Sequence, residues 1–314
     1  MTGVISYLIF FLILAVTLSI AVLGLNLQWG FTGLFNAGVA GFIAVGAYTM
    51  AILTGPERDA VLGGFGLPFV VGLIGAMLAA GLAALLVGLV TLRLKGEYLA
   101  VATFGIAVSI QLVCLNWEYV TGGTLGLISI PNPARSLAGD PLAQNAVYLL
   151  IVLLVWGFAF WALERIVQSP WGRMLKAIRE DEEAASSLGK NPVRIRLESF
   201  VLGCMAMGLS GALYVAFIGY VSPSDFLPIV TFQIWTMLIV GGSANNRGAV
   251  LGAIIVWGVW TSSGFVISKF VPTEIQAQGG AMQAVLIGLI LVLMLLLRPR
   301  GLIGERMNVS RHAR

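Results

Sequence analysis

Apolar and polar positions in this chain are segregated into blocks. Nine apolar runs, roughly 4–27, 33–53, 67–92, 97–116, 145–163, 198–220, 228–242, 248–268 and 281–297, are divided by shorter polar stretches. Most reach the ~20 residues that a helix needs to cross a hydrocarbon core of ~30 Å. With no water in that core, only helices and closed barrels satisfy the backbone, and runs of this length without two-residue alternation select helices. The pattern predicts an all-α polytopic membrane protein built as one helical bundle of about nine transmembrane segments. The 228–242 run is short and ends at Gly241-Gly242, so it reads as either a tilted span or a half-helix. Eight to ten crossings is the resulting range.

Composition agrees with that class. The chain is 59% hydrophobic and 10% charged, whereas soluble domains run about 45–50% apolar and 25% charged. Its 314 residues are therefore read as one bundle and not as two soluble domains. The first run has no Lys or Arg before it and no small-x-small cleavage pattern after it, so it is read as a retained span. Basic residues fix the expected orientation. With 164–197 on the inside, 15 of the 18 Lys and Arg fall on inner loops, and only Arg58, Arg135 and Lys269 fall outside. This puts the N-terminus out and the C-terminus in. Residues 305–314 form a short basic tail, expected to be disordered and able to touch anionic lipid. The loop 117–144, rich in Pro and Gly, is expected to fold outside the membrane and cap the bundle or meet an external partner.

Candidate chemistry is sparse. Cys114 and Cys204 lie in apolar runs and read as packing residues, and the single histidine, His312, sits in the tail. No metal site and no catalytic residue is expected. No run carries an acid or base near its middle, which argues against a proton-driven carrier. No G-x-x-x-x-G-K-[ST] phosphate loop occurs, so the chain is not expected to hydrolyse ATP itself.

The conspicuous charged stretch is Ser169 to Arg196, SPWGRMLKAIREDEEAASSLGKNPVRIR. Ser169-Pro170 is a helix start, and Gly189 followed by Asn191-Pro192 is a stop. One helix through 170–188 would set bases early and acids late, against the helix macrodipole. A break near Arg179 to Asp181 removes the conflict. Asp181 then caps a second, short helix of about 182–189, with Glu182 and Glu183 in its first turn. Small side chains on that helix permit close approach to another protein, although a plain solvated loop has the same composition.

Glu183-Ala184-Ala185 followed by Gly189 matches the EAA-x-x-x-G loop of ABC-importer permeases. GFTGLFNAG at 30–38, GAYTMAIL at 46–53, GEYLAVATFG at 96–105, TGGTLGL at 121–127, AIREDEEAASSLGKNP at 177–192, GGSANNRGAVLGA at 241–253 and RPRGLIG at 298–304 extend the match. The chain resembles the LivH/LivM-type branched-chain amino-acid permeases, the LivM side more closely, over most of 25–304. Two stretches depart from the pattern. Glu198-Ser199-Phe200 stands where many such loops end in Ile-x-Leu-Pro, and Ser243 to Arg247 replaces a glycine-richer turn.

The resemblance implies a permease domain, 1–304, of an ATP-driven importer in the bacterial inner membrane. Arg179, Glu180, Asp181, Glu182, Glu183, Ala184, Ala185, Leu188 and Gly189 would couple to an ATPase. It implies as partners a second homologous permease subunit, two ATPase subunits holding ATP and Mg, and a periplasmic substrate-binding protein, with no nucleic acid and no cofactor on this chain. Branched-chain or other hydrophobic amino acids are the implied cargo, with urea or short amides as the alternative. From another class, a self-sufficient carrier or channel would transport without ATPases. Asn26, Gln28, Thr32 and Asn36, set among glycines, are candidates either to line the substrate pathway or to hydrogen-bond helices together.

Overall fold

In the computed structural model, residues 2–58, 61–94, 96–136, 139–187, 189, 191–270, 278–298 and 300–304 are described. Among them, seven helices are long and apolar enough to cross a membrane. They are α1 (Thr2–Leu25, continued by a π-helix, Asn26–Phe31), α3 (Phe69–Thr91), α4 (Glu97–Asn116), α6 (Pro141–Gln168), α9 (Pro192–Ile218), α11 (Asn246–Phe270) and α12 (Gly279–Leu297). Two shorter apolar helices join them, α2 (Val39–Thr54) and α10 (Pro228–Gly241). At 1.5 Å per residue these are only ~24 and ~21 Å long, less than the ~30 Å hydrocarbon core. The short helix over 228–242 is therefore present, bounded by Leu227 and Gly242.

Both short helices follow non-helical backbone, and α2 begins buried, at Val39 and Ala40. The stretch before α2 is tied to the body of α4, where Ala37 N–H donates to Thr103 Oγ1 at 3.0 Å. Ahead of α10, the chain leaves α9 at Gly219, pairs as β2 (Tyr220–Val221), and turns through a 3₁₀ segment at Pro223–Phe226. The partner strand is β1 (Leu127–Ile128), antiparallel, with Leu127 opposite Val221. Non-helical backbone at such depth is tolerated only where protein satisfies it. The loop 117–144 is folded as expected, with a helical turn α5 (Glu118–Thr121), the β1 strand and a 3₁₀ turn at Pro133–Ser136.

α9 is the central element, packed on α1, α2, α3 and α6. Small residues allow that proximity: Gly203 lies against the Gly24 backbone and the Gln28 side chain, and Gly208 lies against Gly46. Ser210 Oγ donates to the Thr17 carbonyl at 2.8 Å and Tyr148 Oη to the Leu213 carbonyl at 2.7 Å, fastening α9 to α1 and α6. α12 lies at the edge, with Ile287 its one buried residue among those described. The segment beyond its C-terminal end is clasped to α10: Leu302 N–H donates to the Val240 carbonyl and Ile303 N–H to the Gly241 carbonyl, both at 2.9 Å. At this clasp the backbones of Gly301 and Gly242 meet so closely that neither position has room for a Cβ.

Contacts sort the loops into two ends. One gathers 26–33, 164–196, 241–248 and 300–304. The other gathers 55–66, 119–130 and 219, where Leu62 N–H meets the Tyr119 carbonyl, Arg58 reaches the Ile128 carbonyl and Ile130 N–H meets the Gly219 carbonyl. The predicted basic tail lies outside the described residues.

Candidate functional site

The charged stretch is built as two helices with a break, as the macrodipole argument requires. Ser169 caps α7 (Pro170–Glu180), its Oγ accepting the Gly172 N–H, with Pro170 at the first position. α7 is amphipathic, burying Gly172, Leu175 and Ile178 at helical spacing. The helix stops at Asp181, whose backbone is extended (φ −150°, ψ 104°). Asp181 then caps α8 (Glu182–Ser187), its Oδ1 accepting Glu183 N–H at 3.0 Å and Ala184 N–H at 2.9 Å. Glu182 and Glu183 stand in the favourable first turn. The predicted short helix of about 182–189 is present over Glu182–Ser187. Leu188 lies outside the described residues, and Gly189 turns the chain with φ +75°.

α8 shows one face to the protein and the other to its surroundings. Ala185 is buried, whereas Glu183, Ala184, Ser186 and Ser187 are exposed. Glu182 is held by Arg196 near the start of α9, Oε2 to Nη1 at 2.9 Å. A second tie joins α7 to α9, where Trp171 Nε1 donates to Glu198 Oε2 at 2.9 Å and Arg194 Nε to Oε1 at 3.0 Å. Of the predicted coupling residues, Glu180, Asp181, Glu183, Ala184 and Gly189 lie on the exposed side, and Glu182 is half-buried.

Arg179 points the other way. Its guanidinium donates to the Gly30 carbonyl in the π-helix, and its stem packs on Gly33, where a Cβ would sit 3.1 Å from Arg179 Cγ. Lys176 lies over the Phe31 ring, 5.5 Å from its centroid. α7 thus rests on the segment that carries the four polar candidates.

Those four are wholly buried and bonded to protein. Asn26 donates through Nδ2 to Asn246 Oδ1 at 2.9 Å and accepts the Ala244 N–H through Oδ1 at 2.9 Å. Asn246 passes the chain on to Glu164 Oε2 at 2.7 Å. Gln28 Nε2 donates to the Phe200 carbonyl at 2.8 Å and to Cys204 Sγ at 3.2 Å, and its Oε1 accepts from Asn36 Nδ2 at 2.9 Å. Thr32 Oγ1 and Ser199 Oγ are 2.7 Å apart. The Asn36 carbonyl accepts from Trp235 Nε1 at 2.9 Å, and Trp235 stacks on Phe35. A side chain at Gly30 would collide with Asn26 Oδ1 and the Ala244 backbone. The network ties the π-helix and the start of α2 to α9, α10 and α11.

Sequence reading missed the partners Glu164, Ser199, Cys204, Trp235 and Asn246. Asn245-Asn246 at the head of an apolar run was the available signal, because an amide there needs a partner. Cys204 does more than pack, since it accepts the Gln28 amide. Among the described residues, no group of three or more His, Cys, Asp or Glu could hold a metal ion.

Seven apolar helices, two shorter helices recessed between them and a charged helix pair at one end define a polytopic helical membrane protein. The chain belongs to the family described as branched-chain amino acid transport system / permease component, which matches residues 7–295. It is 32% identical over 302 residues to the high-affinity branched-chain amino acid transport system permease protein LivM of Escherichia coli K12, covering 90% of this chain and 66% of that protein. It thus spans just under two thirds of that relative's length. A probable LivM of Methanocaldococcus jannaschii is 26% identical, with 90% and 89% covered. LivH of Salmonella typhimurium is 23% identical, with 92% of each chain covered. No solved structure matches the chain.

Proposed function

We propose that this chain is a permease subunit of an ATP-driven importer for branched-chain or other hydrophobic amino acids, working in the inner membrane. The observation that carries the reading is α8: a short, separately capped helix whose exposed face is small and acidic, seated at one end of a membrane bundle. The names of the relatives support the cargo and the pairing of this chain with a second, homologous permease subunit. Two ATPases with ATP and Mg would grip α8, and a periplasmic binding protein would deliver solute to the opposite end. Nine passes, with the N-terminus out and the C-terminus in, follow from the same reading. In support, the loops gathered at the end that holds α7 and α8 carry nine of the 18 Lys and Arg, whereas those gathered at the other end carry Arg58 alone.

The proposed mechanism runs through Arg179. Closure of the ATPases displaces α8 and α7, and Arg179 carries that displacement to the Gly30 carbonyl and the π-helix. The Asn26, Gln28, Thr32 and Asn36 layer is then a closed inner gate, whose hydrogen bonds exchange as the pathway opens. π-helical turns often mark such functional sites.

The test is Glu183→Arg combined with Gly189→Asp, scored by retention of the ATPase subunits and by ATP-dependent amino-acid uptake in proteoliposomes. Loss of both at normal membrane expression supports the reading. Retention of the ATPases by the double variant rejects the docking assignment, and solute accumulation by the chain reconstituted alone selects a self-sufficient carrier.

A further inference from the structure

A groove of about 580 Å³ opens where α9 meets α3 and the turn between α6 and α7. α9 is buried along most of its length, yet Leu197, Val201 and Leu202 are only partly covered here. Leu85 of α3 and Ile166 of α6 complete an aliphatic wall. From Arg194 to Leu202 the groove follows α9 for ~12 Å, at 1.5 Å per residue.

One end of the groove is polar. Arg194, Glu198, Ser169 and Trp171 line it there, at the start of the α9 span. Both oxygens of Glu198 are used: Oε1 accepts from Arg194 Nε at 3.0 Å and Oε2 from Trp171 Nε1 at 2.9 Å. The Arg194 guanidinium is thereby held through Nε alone. Its side chain stays 78% exposed, and neither Nη atom makes a hydrogen bond among the described residues.

Other cations stand at the same level. Gly88 of α3 lies against Leu197 and Gly81 against Met205, so α3 runs antiparallel to α9. Arg93, just beyond α3, therefore falls level with the first turns of α9. Arg165 and Arg173 are exposed on α6 and α7, four residues either side of Ser169. Glu164, the acid beside Arg165, is taken up by Asn246 and Gln168.

A surface that is cationic and carries tryptophan at one end, and is aliphatic beyond it, repeats the polarity of a phospholipid. Tryptophan favours the boundary between membrane and water. Arginine keeps its head among the headgroups while its stem lies on apolar surface, and its planar fork matches phosphate oxygens. A water-soluble anion would leave the aliphatic wall bare. A helix of another protein would bury the free Nη atoms without a counter-charge.

We propose that this groove binds an anionic phospholipid of the surrounding bilayer. Its phosphate sits on the Nη fork of Arg194, and an acyl chain lies along Leu197, Val201 and Leu202 against Leu85 and Ile166. Basic pockets between membrane helices recognise such headgroups. The site is independent of the cargo and of the ATPase contact proposed above.

The test uses the full chain, delipidated in detergent and titrated with phosphatidylglycerol or with phosphatidylcholine of the same acyl chains. Binding is read by native mass spectrometry and by lipid-induced thermal stabilisation. Phosphatidylglycerol should bind at least about fivefold more tightly, as one arginine at a headgroup provides. Arg194→Gln, at an exposed side chain, should keep the lipid-free melting temperature and bring that ratio close to one. Arg135→Gln, at the opposite end, should leave the ratio unchanged. Leu85→Trp, which fills the apolar part, should weaken both lipids together. Equal binding of the two lipids by the parent chain overturns the proposal, as does a preference that survives Arg194→Gln. Inorganic phosphate that reproduces the stabilisation without lipid overturns it by showing an anion site alone. Efficient cross-linking of Leu85→Cys to a second permease subunit in the assembled transporter overturns it by giving the groove to protein.

Discussion

Asn26 satisfies the Ala244 amide and the Asn246 side chain together, at a depth where water cannot replace it. Asn26→Ala should orphan both, at about 1–3 kcal/mol for each buried group left unpaired. A lowered melting temperature in detergent would register it, and a melting temperature equal to that of the parent would contradict the network's role. Arg179→Met tests a different quality. It removes the bond to the Gly30 carbonyl while leaving the exposed face of α8 intact. ATPase subunits should still co-purify, with ATP-dependent uptake reduced several-fold; full uptake would remove Arg179 from the transmission route. That these residues mattered was legible from polar side chains set among glycines in an apolar run. Their partners were not, because Gln28 and Cys204 lie 176 residues apart and nothing local records such a pairing.

At the scale of elements, α8 has six residues. Isolated helices that short are not stable in water, so its existence depends on the Asp181 cap, the Arg196 bridge and the burial of Ala185. Asp181→Ala should cost about 1 kcal/mol of local stability. Hydrogen exchange of 183–187 should quicken, and Asp181→Ser should largely restore protection. The break at Asp181 was readable because charge order and helix polarity disagreed. Pro170 likewise marked a helix start that the structure places there, whereas Asn191-Pro192, read only as a stop, also caps and opens α9. The start of α2 was not readable: residues 33–38 continue the apolar run, yet they are not helical. Hydrophobicity reports burial, and it is silent on whether a buried backbone is coiled or extended. For the same reason the β1–β2 pair escaped notice.

For the whole molecule, the two ends offer a direct check of orientation. Cys114 and Cys204 are buried, so the parent chain supplies a quiet background for single-cysteine labelling. In intact cells a membrane-impermeant maleimide should modify Arg135→Cys and spare Glu183→Cys until the membrane is opened. The reverse pattern would invert the proposed topology. The seven long apolar helices and the two shorter ones were visible in the block pattern, since the bilayer imposes length directly on sequence. A last consequence follows from the clasp between the glycine pair Gly242 and Gly301. It fixes α12 at one extremity, while the remainder of that helix has little protein against it. In bilayers of different thickness, α12 should pivot about that fixed point to keep its apolar length covered. The short helix α2, buried along most of its length, should keep its inclination.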